Sequence, residues 1–412
     1  MARNGNSKGM KETKFKDTEL GKIPEEWDYG KFEDYLDKFS AGATPYRGIA
    51  SNFIGTIPWV SSGELNYNYI TDTREHISQD AQKSTHLTLH PKGTFLIAIT
   101  GLEAAGTRGR CAFIETPATT NQSCLAIYST EKMIVEYLFW FYQQWSDYLA
   151  FNFSQGSKQQ SFTAEIVKKL PIYAPSLAEQ QRIASALFDA DALVAELDAL
   201  IEKKRAIMAG TMQELLTGKR RLKGFSEPWS EEVLRNHLSF LPGFPFTSDR
   251  FSKVACGPRL IRNRDLHSDD QVIYYTGEYS NQYIIEDGDL LIGMDGDFTP
   301  CLWNKGNAVL NQRVGRIICK NTANIVFLYY LLQKPLAELQ ESTGATTVKH
   351  LSHSTIENMV CRMPKLAEQR AIASILSDMD AEIAELEAKR DKYKEVRQGM
   401  MQQLLTGKIR LI

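Results

Sequence analysis

The sequence predicts an α/β (α+β) protein in which two mixed lobes alternate with two long helices. The first observation is a repeat: residues 175–222 align without a gap with residues 364–411, and 27 of the 48 positions are identical. The second is that apolar residues in both copies recur every three or four positions, as in a coiled coil. The third is that the stretches between the copies hold short apolar runs bounded by turn residues, which is typical of strands. The duplication predicts a pseudo-twofold symmetric arrangement.

The composition excludes several classes of protein. Of the 412 residues, 43% are hydrophobic and 24% are charged, as in an ordinary globular chain. Residues 1–18 form a polar N-terminal extension without a signal-peptide core, and no apolar run reaches the roughly 18 residues of a membrane span. The six cysteines form no CxxC pair, so we expect neither a zinc site nor a disulfide framework. The sequence therefore predicts a cytoplasmic protein without a bound metal.

Residues 19–174 form the predicted first lobe. It starts with GKIPEEW, which ends at Trp27. The run FLIAIT at 95–100 predicts a buried strand, and residues 135–145 predict an amphipathic helix. The lobe is not basic, because residues 28–170 carry 12 Lys and Arg against 14 Asp and Glu.

The first long helix is predicted within residues 175–222. Ser176 and Glu179 fit a capping box at its start, and Gly218 ends it. About 38 residues at 1.5 Å each give a length of about 57 Å. The apolar seam of this helix consists of Leu187, Ala190, Val194, Leu197, Ile201, Met208 and Leu215.

Residues 223–363 form the predicted second lobe, and residues 364–412 hold the second long helix. KGFSEPW, which ends at Trp229, echoes the start of the first lobe. The two lobes share little sequence but keep several landmarks in the same order, so we interpret them as copies of one fold whose surfaces have diverged. The seam of the second helix consists of Leu376, Met379, Ile383, Leu386, Tyr393, Met400 and Leu404.

Loops in both lobes carry side chains suited to DNA. Arg pairs with guanine and Gln or Asn with adenine in the major groove, whereas Lys more often contacts phosphate. Any one of these side chains taken alone is also explained as a solvated loop residue. Because they lie in matching loops of the two lobes, we treat them together as candidates for DNA contact. The candidates are Ser61, Ser62, Arg108, Arg110, Lys158, Gln159, Gln160, Arg259, Arg262, Asn263, Arg264, Lys349 and His350. For the repeated Asn-Gln pairs at 121–122 and 311–312, we favour a structural role over adenine reading.

Polar residues of the two helices also recur. Acidic side chains are almost never buried unless they are paired, so we interpret their recurrence as a duplicated binding surface rather than as core packing. Two copies of one surface recruit two identical partners. The candidates for partner binding are Glu179, Gln180 and Asp189 with their counterparts Glu368, Gln369 and Asp378. The alternative is that the helices only pack on each other.

The sequence offers little catalytic chemistry. It contains no phosphate-binding P-loop, no GxGxxG and no HExxH. Residues 387–389 (Glu-Ala-Lys) match half of a nuclease signature, but they lie within the predicted coiled-coil helix, where a solvated face explains them. We predict a protein that is not an enzyme.

The repeated LAEQ…IA segment, the two LLTGK helix ends and the two dissimilar lobes led by IPEEW and FSEPW resemble the DNA specificity subunit of a type I restriction-modification system. The resemblance covers nearly the whole chain beyond residue 18. It implies that each lobe is a target recognition domain for one half of a split, asymmetric DNA site. It also implies that the helices pack antiparallel, hold the lobes apart and set the spacer.

The same resemblance implies that the chain has no cofactor of its own. Two modification (methyltransferase) subunits would dock on the helices and carry S-adenosylmethionine for adenine methylation. Two restriction subunits with an ATP-driven motor, which use ATP and Mg, would be present or absent depending on the system. The family's base-contacting residues do not carry over by motif.

Two other functions stay open at this point. One is a coiled-coil adaptor that binds proteins but not DNA, which the net charge of only −2 favours. The other is an enzyme with unrecognised chemistry. The resemblance accounts for the charge differently, because partner subunits would supply much of the contact with the DNA backbone.

Overall fold

The computed structural model describes residues 13–103, 108–156, 159–342 and 350–412. The chain divides into two compact units. The first unit contains residues 1–196 and 390–412, and the second contains residues 197–389. Each unit therefore joins one lobe to parts of both long helices.

The first lobe is a mixed α/β structure. Its strands are β1 (Phe15–Thr18), β2 (Gly21–Pro24), β3 (Asp28–Lys31), β4 (Leu36–Ala41), β5 (Ile57–Val60), β6 (Asn68–Ile70), β7 (His76–Ile77), β8 (Phe95–Ala98), β9 (Cys111–Ile114), β10 (Thr119–Thr120), β11 (Cys124–Ser129) and β12 (Pro171–Ala174). Its helices are α1 (Phe32–Tyr35), α2 (Gln79–Ser84), α3 (Val135–Phe153) and α4 (Ala164–Lys168).

A five-stranded sheet of order β4-β11-β8-β9-β6 forms the centre of this lobe. Strand β11 lies antiparallel between β4 and β8. Helix α3 packs on the sheet through an apolar stripe that includes Leu138, Phe139 and Tyr142, all buried. The buried strand and the amphipathic helix predicted from the sequence are confirmed as β8 and α3.

The second lobe has the same kind of architecture. Its strands are β13 (Ser230–Val233), β14 (Leu238–Pro242), β15 (Phe251–Ser252), β16 (Arg259–Ile261), β17 (Ile273–Tyr275), β18 (Ile284–Ile285), β19 (Leu290–Gly293), β20 (Cys301–Leu302), β21 (Ala308–Leu310), β22 (Val314–Cys319) and β23 (Val360–Met363). Its helices are α6 (Ile325–Ser342) and α7 (His353–Glu357).

The second lobe contains two larger sheets, of orders β14-β22-β19-β20 and β15-β17-β16-β21-β18, and the two-stranded sheet β13-β23. Strand β22 lies antiparallel between β14 and β19, as β11 does between β4 and β8 in the first lobe. Helix α6 covers this sheet with buried Phe327, Leu328 and Leu332. The interpretation of the two lobes as copies of one fold rests on this shared order.

The two long helices are α5 (Leu177–Leu215) and α8 (Leu366–Leu404). Gly218 and Gly407 follow their last turns with φ of +71° and +67°. This left-handed conformation suits glycine and ends both helices, as predicted. At the start of α5 the Ser176 hydroxyl accepts the Glu179 N–H at 3.3 Å. The Glu179 carboxylate bonds elsewhere, so the predicted capping box is only half formed.

Within each unit, the segments of α5 and α8 run antiparallel. In the first unit Asp191 pairs with Arg397, and Arg182 donates to the Leu411 carbonyl at 3.0 Å. In the second unit Lys204 pairs with Glu382 at 2.5 Å. All the predicted seam residues are buried or half-buried, so the apolar periodicity identified the contact face of both helices.

Candidate nucleic-acid interface

The two lobes build the same short turn after strands β5 and β16. In the first lobe Glu64 accepts the Ser61 N–H at 2.8 Å and its hydroxyl at 2.7 Å. In the second lobe Asp265 accepts the Arg262 N–H at 3.0 Å. A carboxylate therefore closes the turn in both lobes. The equivalent residues are Ser61 and Arg262, Ser62 and Asn263, and Glu64 and Asp265.

A second set of equivalent loops lies beyond strands β8 and β19. An isolated antiparallel bridge joins Thr100 to Ser161 in the first lobe, and the same bridge joins Asp295 to His350 in the second. Ser161 and His350 each stand two residues before the capping residue of a short helix, α4 or α7. The backbone is thus shared, while the side chains differ completely.

The repeated Asn-Gln pairs lie in the turns before β11 and β22. The Asn121 N–H donates to the Val60 carbonyl at 2.8 Å, and the Asn311 N–H donates to the Ile261 carbonyl at 3.0 Å. The Asn121 side chain accepts the Ser123 N–H at 3.0 Å. These bonds support the structural role that we favoured for Asn121.

The arginines of the first lobe are partly enclosed. The Arg108 side chain is 24% exposed and lies 3.8 Å from the Asp147 carboxylate. Arg110 lines an open groove of about 640 Å³ together with Glu64, Arg74 and other polar residues. Gln159 is exposed, and the Gln160 N–H donates to Glu103 at 3.0 Å. Lys158 lies outside the described residues.

Two of the three clustered arginines in the second lobe are held by acids. Arg259 pairs with Asp269 and lies over the Trp303 ring, 5.2 Å from its centroid. Arg262 binds Asp265 with two bonds of 2.7 and 2.9 Å. Their proximity in the sequence therefore reflects internal ion pairs rather than a free basic patch.

Three further candidates of the second lobe differ in accessibility. Arg264 is exposed and reaches Gln271 at 3.2 Å. The Asn263 amide is half-buried and donates to the Asp295 carbonyl. His350 is exposed and binds the Asp295 side chain. Lys349 lies outside the described residues.

Arg313 is a surface cation of this region that the sequence analysis missed. Its side chain is 64% exposed and pairs with Asp295, which His350 also contacts. The available signal was the aligned turn, in which NQSC of the first lobe is answered by NQRV of the second.

The recurring glutamates of the long helices are buried inside the protein. Glu179 is 2% exposed and accepts the Trp27 indole N–H at 3.2 Å. It also binds Arg410 with two bonds of 2.7 and 2.8 Å. We call this trio the first clamp. The second clamp repeats it with Glu368, Trp229 and Arg221.

The recurring glutamines have internal partners as well. Gln180 accepts the Ile134 N–H at 3.0 Å and donates to the carbonyls of Lys132 in the lobe and Pro175 at the start of its own helix. Gln369 accepts the Asn324 N–H at 2.9 Å and makes the equivalent donations. Our expectation that core packing does not require the recurring side chains is wrong for these glutamates and glutamines. Their partner binding stays a prediction, but their recurrence has an internal cause.

A different set of identical residues is exposed on both helices. These positions follow the helix at steps of three, four or seven residues and therefore share one face. We call this set the repeated face. It comprises Ala178, Ser185, Asp189, Ala192 and Glu196 in the first unit, and Ala367, Ser374, Asp378, Ala381 and Glu385 in the second. Asp189 and Asp378 thus lie on the surface, as predicted.

Comparison with known protein families decides the identity of this architecture. The model of the type I restriction modification DNA specificity domain matches residues 24–204 and 252–395, more than half of the chain. The chain belongs to this family. The two matches fall on the two copies of the lobe-and-helix plan, and the resemblance seen in the sequence is confirmed.

Individual specificity subunits show the same similarity. The MjaIX specificity subunit of Methanocaldococcus jannaschii is 26% identical, and the alignment covers 97% of both chains. The EcoBI specificity subunit of Escherichia coli is 33% identical over 193 residues, which are 46% of this chain and 41% of that one. The crystal structure of the S subunit from M. genitalium has a TM-score of 0.60 at 15% identity, over 92% of this chain and 96% of that one. This last match concerns the fold alone.

As a specificity subunit of a type I restriction enzyme, the chain is a non-catalytic subunit that carries DNA specificity. In the described parts of the chain, no three His, Cys, Asp or Glu side chains are grouped so as to hold a metal ion. Within the same residues, no helix has the length and apolar character needed to span a membrane.

Proposed function

We propose that each lobe of this specificity subunit reads one half of a split, asymmetric DNA site. We further propose that the repeated face recruits two methyltransferase subunits. The chain contributes sequence recognition, and its partners contribute chemistry. S-adenosylmethionine would then bind to the modification subunits, and ATP and Mg to restriction subunits in systems that have them.

The proposal rests on loops whose backbone is equivalent in the two lobes but whose side chains differ. Ser62, Thr100 and Ser161 in the first lobe occupy the same backbone positions as Asn263, Asp295 and His350 in the second. A hydroxyl, an amide, a carboxylate and an imidazole present different donors and acceptors to base edges. Two lobes that read the same half-site would not need different groups in the same loops.

The repeated face supports the recruitment of two identical partners. Its side chains are small or acidic, are exposed in both units and are identical in the two copies. Small residues allow a partner helix to approach closely, and a surface presented twice recruits the same partner twice. One similar solved structure is described as the basis of complex assembly of the type I system.

The weak charge of the lobes is consistent with a shared DNA interface. Several arginines are already paired with acids, as Arg262 is with Asp265. Nonspecific affinity comes mostly from contacts with phosphates, and partner subunits can supply these. The lobes are then free to use a few side chains for bases.

The proposal is tested by expressing this chain together with its modification subunit and mapping methylated adenines in the host DNA. We expect one motif made of two different half-sites separated by an unspecified spacer. Cells with the modification subunit alone should lack the motif, and purified specificity subunit alone should transfer no methyl group. A symmetric, uninterrupted motif would contradict the split reading. A complex that forms but leaves DNA unmodified would favour a protein adaptor.

A further inference from the structure

Three loops of the second lobe meet at one carboxylate. Asp295 lies two residues after strand β19, Arg313 lies immediately before strand β22, and His350 lies before helix α7. One oxygen of Asp295 accepts the His350 Nδ1–H at 2.8 Å, and the other accepts the Arg313 Nη1–H. Each oxygen of the acid therefore binds a different loop.

Asp295 is mostly buried, whereas both of its partners are exposed. The side chain of Asp295 is 16% exposed, against 64% for Arg313 and 61% for His350. Burial by itself would raise the pKa of Asp295, but hydrogen bonds from His350 and Arg313 outweigh it and lower the pKa. The carboxylate is therefore ionised at neutral pH and holds the guanidinium at one nitrogen.

Hydrogen bonds hold the backbone around Asp295 in place. The Asn263 side chain donates to the Asp295 carbonyl, and the Met294 N–H donates to the Arg313 carbonyl at 2.9 Å. At Gly293, an added Cβ would lie 1.9 Å from the Asn263 amide oxygen, so only glycine leaves room for that amide. The loop that carries the acid is thus held in place before any ligand arrives.

The first lobe has the equivalent backbone at this place, but its side chains there are uncharged. The equivalents of Asn263, Asp295, Arg313 and His350 there all carry a hydroxyl group. They are Ser62, Thr100, Ser123 and Ser161. At this place the side chains of the two lobes differ while the equivalent bridges and turns are kept.

We propose that Arg313, oriented by Asp295, reads a guanine in the half-site of the second lobe. The planar guanidinium presents two parallel donors, which match the O6 and N7 acceptors of guanine in the major groove. A carboxylate that fixes one side of the group reduces the entropy lost on binding. Asp295 is a positioning residue in this arrangement. The inference rests on the proposed DNA-reading function and assigns one residue within it.

The test uses the complex of this chain with its modification subunits and compares methylated motifs. For Arg313→Ala, we expect one guanine position in one half-site to become degenerate, with a roughly 5- to 150-fold loss of preference. The other half-site should stay unchanged. For Arg313→Lys, the charge remains but the two parallel donors are lost, so the same position should still relax.

Arg235 provides the matched control. It is exposed and lies beside Lys320 near the far end of β22, whereas Arg313 lies at the near end. Arg235→Ala removes the same charge from the same lobe and should leave the motif intact. A salt series adds a second readout, because loss of a phosphate contact weakens binding to all sequences and reduces the salt dependence.

The outcomes separate the inference from the function on which it rests. If the wild-type complex methylates a split motif and Arg313→Ala methylates the same motif, the inference is overturned and the function stands. Retention of guanine by Arg313→Lys would overturn the paired-donor reading, because a single ammonium group would then be sufficient for recognition. A wild-type motif without guanine would overturn it as well. If the wild-type complex showed no sequence preference, the proposed function itself would fail.

Discussion

The two units have the same contacts between long helix and lobe, but they differ in the side chains of the loops that face solvent. The clamps repeat the same three residue types, glutamate, tryptophan and arginine, with similar distances in both units. The loops keep the backbone but exchange Ser123 for Arg313 and Ser161 for His350. Duplication has therefore retained the residues that build the unit, and has varied those that can contact a ligand.

A buried clamp resists change for a physical reason. Removing one partner of a buried ion pair leaves an uncompensated charge, which costs about 3–5 kcal/mol. Replacing an exposed loop side chain usually costs less than about 0.5 kcal/mol. Identity on a helix surface is therefore evidence for partner binding only at exposed positions such as Asp189, not at Glu179.

The largest expected effect comes from breaking one clamp at a time. Arg410→Ala should destabilise the first unit by about 3–5 kcal/mol, because it leaves Glu179 buried without its cation. Arg221→Ala should destabilise the second unit by less, since Arg221 is 26% exposed against 11% for Arg410. Hydrogen exchange, read on peptides around Trp27 and Trp229, measures each unit separately.

Arg220→Ala is the control for that comparison. Arg220 is adjacent to Arg221, but its side chain is 64% exposed and its pair with Glu214 is a surface pair. Such pairs contribute at most about 1 kcal/mol, so exchange should hardly change. If Arg410→Ala accelerated exchange no more than Arg220→Ala, the clamp would have no stabilising role.

The clamps also show where sequence reasoning stopped. The helix ends at Gly218 and Gly407 and the apolar seams followed from local rules and are present in the structure. The burial of Glu179 did not follow, because its partner Arg410 lies 231 positions away and becomes a neighbour only once the helices pair. The sequence did hold a clue, since an arginine and a tryptophan recur with the glutamate in both copies.

The loops that carry the candidate DNA-contacting residues were predictable only in part. Their positions followed from Gly-containing turns in matching order. The sequence did not show which cations of these loops are accessible, because acidic residues in the same loop neutralise nearby cations. The spacing of Arg262 and Asp265 already allows such a pair, and the structure forms it. Asp295 and Arg313 are separated by 18 residues and two strands, so only the folded lobe brings them together.

The second prediction uses a buried histidine of the first lobe, whereas no histidine is buried in the part of the second lobe that the structure describes. His90 is 1% exposed, and its Nδ1 lies 2.7 Å from the Tyr128 hydroxyl. Burial lowers its pKa from 6.5 to about 4. Below pH 6.5 the unfolded chain takes up the proton first, so acid destabilises the folded lobe. The loss should reach about 3 kcal/mol near pH 4.

The second lobe lacks this sensitivity, because Ile285 occupies the equivalent place before its central strand. His90→Leu should remove the contribution of His90 to the pH dependence of the first lobe, which falls between pH 6.5 and 4. Hydrogen exchange at pH 7 and at pH 5, corrected for the intrinsic rate, compares peptides around residues 90 and 285. Equal acid sensitivity of both peptides, or a dependence that persists in the variant, would contradict this role of His90.

The third prediction concerns an aromatic contact that the duplication did not keep. Phe188 of α5 packs against Phe139 and Trp140 of α3, with ring centroids 5.5 and 5.1 Å apart. The equivalent residue of α8 is Ser377, which lines an open groove of about 490 Å³ with Tyr329 and other residues. The first unit is therefore more tightly packed at this point.

A separate substitution of each residue tests that difference. Phe188→Ala should cost about 2 kcal/mol, below the usual range for a fully buried phenylalanine, because the ring is only half-buried. Ser377→Phe should be tolerated or should stabilise the second unit, since the groove has room for the ring. Thermal unfolding of both variants against wild type gives the sign. A destabilised Ser377→Phe would show that the groove is not free to accept an aromatic side chain.

The smallest effect per substitution is expected on the repeated face, and it is the one that separates folding from partner binding. Asp189 and Asp378 are exposed, so reversing their charge should leave the stability of the chain nearly unchanged. Asp189→Lys should weaken one partner site by about 1–2 kcal/mol, and the double variant with Asp378→Lys should weaken both. Native mass spectrometry at a concentration a few-fold above the wild-type dissociation constant then shows mainly two modification subunits for wild type, one for either single variant and none for the double variant. Glu214→Lys, the same reversal of charge at an exposed position of α5 that α8 does not repeat, controls for net charge. If the double variant retained two partners under these conditions, the identity of the repeated face would have no role in recruitment.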